Sequence, residues 1–138
     1  MGFDDIHVHN HKLRELSNVV VYLLQERSMC DTETANDLFC ETLRKIDEHL
    51  SMVDHLYATL LNQKDEKAHR TAKMFMSGEV ELKRIIAEYK KVWFARSRPE
   101  LRVGNHQQFI KETEELFEIV LSRIEDETEK LYPMLIAS

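Results

Sequence analysis

The chain has 138 residues, 32% of them charged and 43% apolar, with a formal net charge of −6 at pH 7. That length buries the core of one domain, residues 1–138, without staples, and three glycines with two prolines exclude a strand-rich or disordered chain and leave helices. The negative balance excludes a nucleic-acid binder, whose basic side chains would gather on one face.

The opening, MGFDDIHVHN, has neither the basic start nor the long apolar core of a secretion signal. No later run approaches the roughly 20 apolar residues that span a bilayer, so the expected location is cytoplasmic, away from membranes. A first helix is predicted from about Asp5 to Arg27, with Ile6, His9, Leu13, Leu16, Val20 and Leu23 on its inner face. His7 and His11 then point to solvent. Cys30 and Cys40 stand in no metal-binding or redox spacing and are expected as free thiols.

Asp31 or Thr32 caps a second helix whose inner face carries Phe39, Thr42, Ile46, His49, Val53, Leu56 and Leu60. The polar stretch from Asn62 to Asp65 breaks it. A third helix runs from about Glu66 to Ala95 with Phe75, Glu79, Leu82, Ile86, Tyr89 and Trp93 inward, and ends in a short basic patch of Lys90, Lys91, Arg96 and Arg98. SRPELRVGN, with Pro99 and Gly104, is the one real loop. The fourth helix starts near Asn105, and Pro133 bends or ends its last turns. Short connections make successive helices antiparallel, so the expected fold is all-α, an up-down-up-down antiparallel four-helix bundle.

Each inner face holds one residue of a metal-ligand type: His9, His49, Glu79 and Glu127. Counted from the first hairpin, His9 and His49 lie roughly 31 and 28 Å along their helices, level within one turn. Counted from the second, His49 and Glu79 are level as well. Glu127 follows the long loop, and its mismatch of roughly 9 Å needs an asymmetric crossover. Histidine nitrogen and carboxylate oxygen projecting from facing helices are the usual means by which a bundle holds iron or a similar divalent metal. Asp54, five residues after His49, reaches toward the same volume from the flank. Gly78, beside Glu79, leaves room there at a cost of up to about 1 kcal/mol relative to alanine. His55, His69 and His106 are expected at the surface.

The stretches HVHNHKL, DEHLSMVDHLY and IEDETEKLYP carry a resemblance to the hemerythrin-like, cation-binding bundle family over essentially the whole chain. The resemblance implies a four-helix bundle around a non-haem iron pair that binds oxygen, or senses oxygen, nitric oxide or iron, without turnover in most members. His9, His49 and Glu127 resemble the family's ligands on the first, second and fourth helices, and Glu79 falls where the third would offer histidine. Val53 replaces the bridging glutamate, for which Asp54 is a substitute, and Arg123 replaces a histidine one turn before Glu127, where its cation pairs with that carboxylate instead of binding metal.

Two readings follow. In one, His9, His49, Asp54, Glu79 and Glu127 hold iron, mono- or dinuclear, for sensing or handling oxygen, nitric oxide or iron. In the other, Arg123 neutralises Glu127, no ion is bound, and a degenerate bundle serves as a regulatory or protein-interaction module, with a protein partner or a second copy of itself. No nucleophile elbow, phosphate loop or paired-cysteine motif suggests an enzyme. Trp93, Phe94, Met29, Met74 and Met76 are candidates for an exposed apolar patch.

Overall fold

The computed structural model describes residues 3–95, 100–101 and 105–136. Helix α1 (Phe3–Leu24) is followed by a 3-10 turn at Arg27–Asp31, α2 (Glu33–Asn62), α3 (Glu66–Trp93), α4 (His106–Asp126), a π-helical turn at Glu127–Leu131 and α5 (Tyr132–Ile136), which continues α4. A two-residue antiparallel ladder of β1 (Phe94–Ala95) and β2 (Glu100–Leu101) lies in the long connection, pairing Phe94 with Leu101. The rest of SRPELRVGN before Asn105, including Pro99 and Gly104, and the Arg96 and Arg98 part of the basic patch lie outside the described residues. Among the described residues, no helix is long and apolar enough to cross a membrane.

The helix starts follow from local chemistry. Thr32, Asp65 and Asn105 each sit in extended backbone and accept a hydrogen bond from an otherwise orphaned amide of the first turn, those of Ala35, Lys67 and Gln108. Such a cap contributes about 1 kcal/mol.

Each helix packs on the one before it, and α4 returns to α1. Contacts between neighbours run in opposite sequence order. On α1 and the continuous α4–α5, Asn10 meets Tyr132, Arg14 meets Glu125 and Gln25 meets Glu114. On α2 and α3, Asp47 meets Lys90 and Asp54 meets Lys83. On α3 and α4, Phe75 meets Arg123 and Tyr89 meets Thr113.

The apolar core is divided. One cluster contains Leu13, Ile46, Leu82 and Ile124, and the other contains Ile6, Val53, Phe75 and Leu131. Burying each such side chain contributes about 1.5–3 kcal/mol. Between the two clusters, α1, α2, α3 and the π-helical turn after α4 each hold one polar, buried position: Asn10, His49, Glu79 and Glu127. Asn10 takes the place that the sequence pattern assigns to His9. The buried face of α1 runs through Ile6, Asn10, Leu13, Ser17, Val20 and Leu24. It shares Ile6, Leu13 and Val20 with the expected face, but its alternate positions are one residue later. Counting apolar residues favours Leu16 and Leu23, yet these are only half-buried, whereas Ser17 is buried with its hydroxyl on the Leu13 carbonyl.

Other expectations shift in the same way. His7 is half-buried edge-on against the Tyr132 ring, 5.6 Å between centroids, rather than facing solvent. Trp93 is buried against Phe109, so it is no part of an exposed patch, while Met74 and Met76 are exposed. His55 and His11 are at the surface; His69 and His106 are half-buried, with ring nitrogens on the carbonyls of Gln63 and Leu24. Cys30 and Cys40 are free thiols.

Candidate functional site

Glu127 is fully buried at the first position of the π-helical turn. In that turn the amide of Tyr132 donates to the carbonyl of Glu127, five residues back, which widens the helix by one residue. Two consequences follow. The wide turn relieves the crowding that the Pro133 ring would impose on the preceding turn, so the helix runs on through Pro133 to Ile136. It also stacks side chains five apart, so that the Tyr132 hydroxyl donates to Glu127 Oε1 at 3.2 Å.

The same oxygen lies 2.8 Å from His49 Nε2. With Glu127 as a carboxylate, Nε2 donates to it, and His49 Nδ1 is buried with no hydrogen-bond partner among the described residues. Asn10 Nδ2 donates to the Tyr132 hydroxyl at 3.0 Å. Asn10, Tyr132, Glu127 and His49 thus form one hydrogen-bonded chain across α1, α4–α5 and α2.

Arg123 supplies the positive charge. Its Nε lies 3.3 Å from Glu127 Oε2, one helical turn away, close enough for an ion pair but not aligned as a hydrogen bond. Nη2 donates to the Tyr57 hydroxyl at 2.8 Å and to the Phe75 carbonyl at 2.5 Å, and the guanidinium carbon lies 5.5 Å from the centre of the Phe75 ring. Gly78 eases this geometry, since a Cβ there would lie 3.0 Å from Arg123 Nη1, close enough that the guanidinium would have to shift by a few tenths of an ångström. The mid-helix glycine therefore leaves room for a guanidinium. Burial pushes the Tyr57 and Tyr132 hydroxyls far above their usual titration range, so both remain protonated donors.

His9 and the two other predicted carboxylates lie around this chain. The ring of His9 stacks on that of His49, 6.3 Å between centroids and 22° between planes, but its Nε2 turns to Glu48 at 3.2 Å, at the edge of α2. Burial lowers the His9 pKa, the Glu48 contact opposes this, and the neighbouring His49 lowers it further. Glu79 is buried, and its Oε2 is 3.6 Å from Lys83, which also holds Asp54 at 3.3 Å. Its Oε1 finds no donor among the described residues. Burial pushes the Glu79 pKa up to about 7, and Asp54 beside it adds to the rise by taking a hydrogen bond that requires a proton on Glu79; Lys83 and Arg123 oppose it.

The structure therefore joins His49 and Glu127 directly, adds Arg123 to them, and sets His9 alongside. Glu79 and Asp54 form a separate carboxyl pair around Lys83. Among the described residues no three histidine, cysteine or acidic side chains are grouped as they would be around a metal ion. The donor set does not fit an iron pair: Glu127 is shared among His49, Tyr132 and Arg123, and Arg123 cannot bind metal. Asn10, Tyr57 and Tyr132 escape a search for metal ligands because none is a usual ligand. Their signal lies in helical phase, since Asn10 is in register with Ile6 and Leu13.

The chain matches no family model, no curated protein and no solved structure.

Proposed function

We propose that this chain is a hemerythrin-like, up-down-up-down four-helix bundle in which an internal cation, Arg123, takes over the electrostatic work of a bound metal, and that it acts as a metal-free regulatory or protein-interaction module. The observation that carries this reading is the contact of Arg123 with Glu127, Tyr57 and the Phe75 carbonyl in the space left by Gly78. A buried carboxylate needs a compensating charge, and a guanidinium held by several groups supplies it without an ion.

A second reading, an iron-binding bundle that senses or handles oxygen, nitric oxide or iron, is favoured by one feature. His9 and His49 each direct Nε2 to a carboxylate and keep a buried Nδ1 that has no partner among the described residues. Metal-binding histidines are commonly oriented by a carboxylate on the other ring nitrogen. The test is metal content. Protein expressed with added iron and purified without chelator is expected to be colourless, without stoichiometric metal, and unchanged in melting temperature on anaerobic ferrous addition. One to two irons per chain, with near-ultraviolet absorption, overturns the metal-free reading.

A further inference from the structure

Behind Arg123 a groove of about 530 Å³ opens between α3 and α4, with Phe75, Gly78 and Leu82 in its lining. A second hollow of about 240 Å³ extends it toward Val92, the two sharing Ile85, Glu115 and Ile119. From Phe75 to Val92 the combined groove follows α3 for roughly 25 Å at 1.5 Å per residue. That is the length of a five-turn helix. Val92 and Ile119 are 53% and 41% exposed, so apolar surface along the groove faces water.

The charge beside this apolar strip is nearly all of one sign. Glu81, Glu88, Glu112, Glu115, Glu118 and Asp126 line it. Glu81 and Glu88 are tied to Arg84. The other four make no ion pair among the described residues, and Glu112 Oε2 is buried without a hydrogen-bond donor. The single lining cation among the described residues, Arg123, is turned inward to Glu127 and Tyr57.

We propose that the α3–α4 groove binds a basic amphipathic helix of a partner protein, with apolar residues at helical spacing seated on Leu82, Ile85 and Ile119 and flanking lysines or arginines paired to Glu112, Glu115, Glu118 and Asp126. Helix-in-groove recognition uses this combination of an apolar strip and a charged rim. A second copy of this chain is a poor occupant, because at a net charge of −6 it would set acidic helices against an acidic rim. The proposal rests on the reading of the chain as an interaction module and specifies the surface and the partner's chemistry.

The test uses the full chain and a fluorescently labelled 18-residue helical peptide with leucines at positions i, i+3, i+4 and i+7 and lysines flanking them. A matched peptide carries glutamate in place of lysine. Anisotropy titrations are expected to show saturable binding of the lysine peptide, at least tenfold weaker binding of the glutamate peptide, and weakening with salt. The exposed-face variants Ile119→Arg and Glu115→Lys/Glu118→Lys should each lower affinity at least tenfold, with far-ultraviolet circular dichroism unchanged. Glu15→Lys/Glu41→Lys, on the α1–α2 side, should leave it within twofold. Absence of binding, equal binding of both peptides, or indifference to the groove variants overturns the proposal. Metal content, measured on the same protein, keeps the two failures apart: metal-free protein that ignores the peptide rejects only the groove, whereas metal-loaded protein rejects the module reading itself.

Discussion

A Cβ on Gly78 would stand 3.0 Å from Nη1 of Arg123, so a glycine on α3 and an arginine on α4 are fitted to each other across the helix interface. Glycine costs helix α3 up to about 1 kcal/mol relative to alanine. The guanidinium has little freedom to retreat, being held by Tyr57, the Phe75 carbonyl and Glu127.

Gly78→Ala is therefore expected to forfeit the usual gain in helix stability and to destabilise the protein. In an Arg123→Met background the same change should stabilise by about 0.5–1 kcal/mol, because a flexible thioether leaves room for the methyl. Urea denaturation of the four proteins measures the coupling, and equal effects of Gly78→Ala in both backgrounds would show that the two residues do not compete for space.

The Arg123–Glu127 pair should behave as a buried ion pair. Arg123→Met leaves a fully buried carboxylate without its cation, and Glu127→Gln leaves a guanidinium without its carboxylate; each is expected to cost about 3–5 kcal/mol. The double variant keeps an amide for His49 and Tyr132 while removing both charges, so it should cost at least 1 kcal/mol less than the sum. Additive losses in a double-mutant cycle would contradict the pairing.

Glu79 makes stability depend on pH. Its pKa is raised from an ordinary 4.5 to about 7. The native state therefore holds a proton in the pH 4.5–7 window that the unfolded chain has released, and Glu79's contribution to stability falls as pH rises through that window. Glu79→Gln mimics the protonated form, so it should be more stable than wild type at pH 8, by about 1 kcal/mol once solvent screening on the Lys83 side is allowed for, with the difference vanishing near pH 4.5. His9 acts with the opposite sign, since its lowered pKa favours the folded state as pH rises through the ordinary histidine range, but it is present in both proteins and cancels. Unfolding midpoints at pH 5 and 8 decide the matter, and a constant difference would sink the assignment.

Arg123→His asks whether this position is a lost metal ligand. It removes the cation and places an imidazole one turn from Glu127, near His49. Anaerobic ferrous iron is expected to raise the melting temperature of this variant while leaving wild type unchanged. If the variant's melting temperature stays flat with iron, position 123 is not such a site.

Much of the fold was legible in the sequence. The residues that cap α2, α3 and α4 stand at their predicted boundaries, and the inner face of α3 read correctly as far as Trp93 because apolar side chains mark nearly every turn; that of α2 did so except at Leu56, which is half-buried while Tyr57 takes the core position. On α1 the phase was misread, since polar Asn10 and Ser17 occupy core positions and apolar Leu16 and Leu23 lie at the margin. The long connection offered no signal for the Phe94–Leu101 pairing, and Pro133 did not reveal that a π-helical turn precedes it.

Sequence alone determined that a polar residue interrupts the inner faces of α2, α3 and α4, at His49, Glu79 and Glu127, because helical periodicity is local and needs no partner. Which of these residues meet was a tertiary decision. Side-chain direction, the widened turn at Glu127 and the space at Gly78 bring His49, Arg123, Tyr132 and Asn10 to one carboxylate, while Lys83 draws Glu79 and Asp54 aside. A carboxylate takes the compensating charge that packing brings within reach, and here that charge is Arg123.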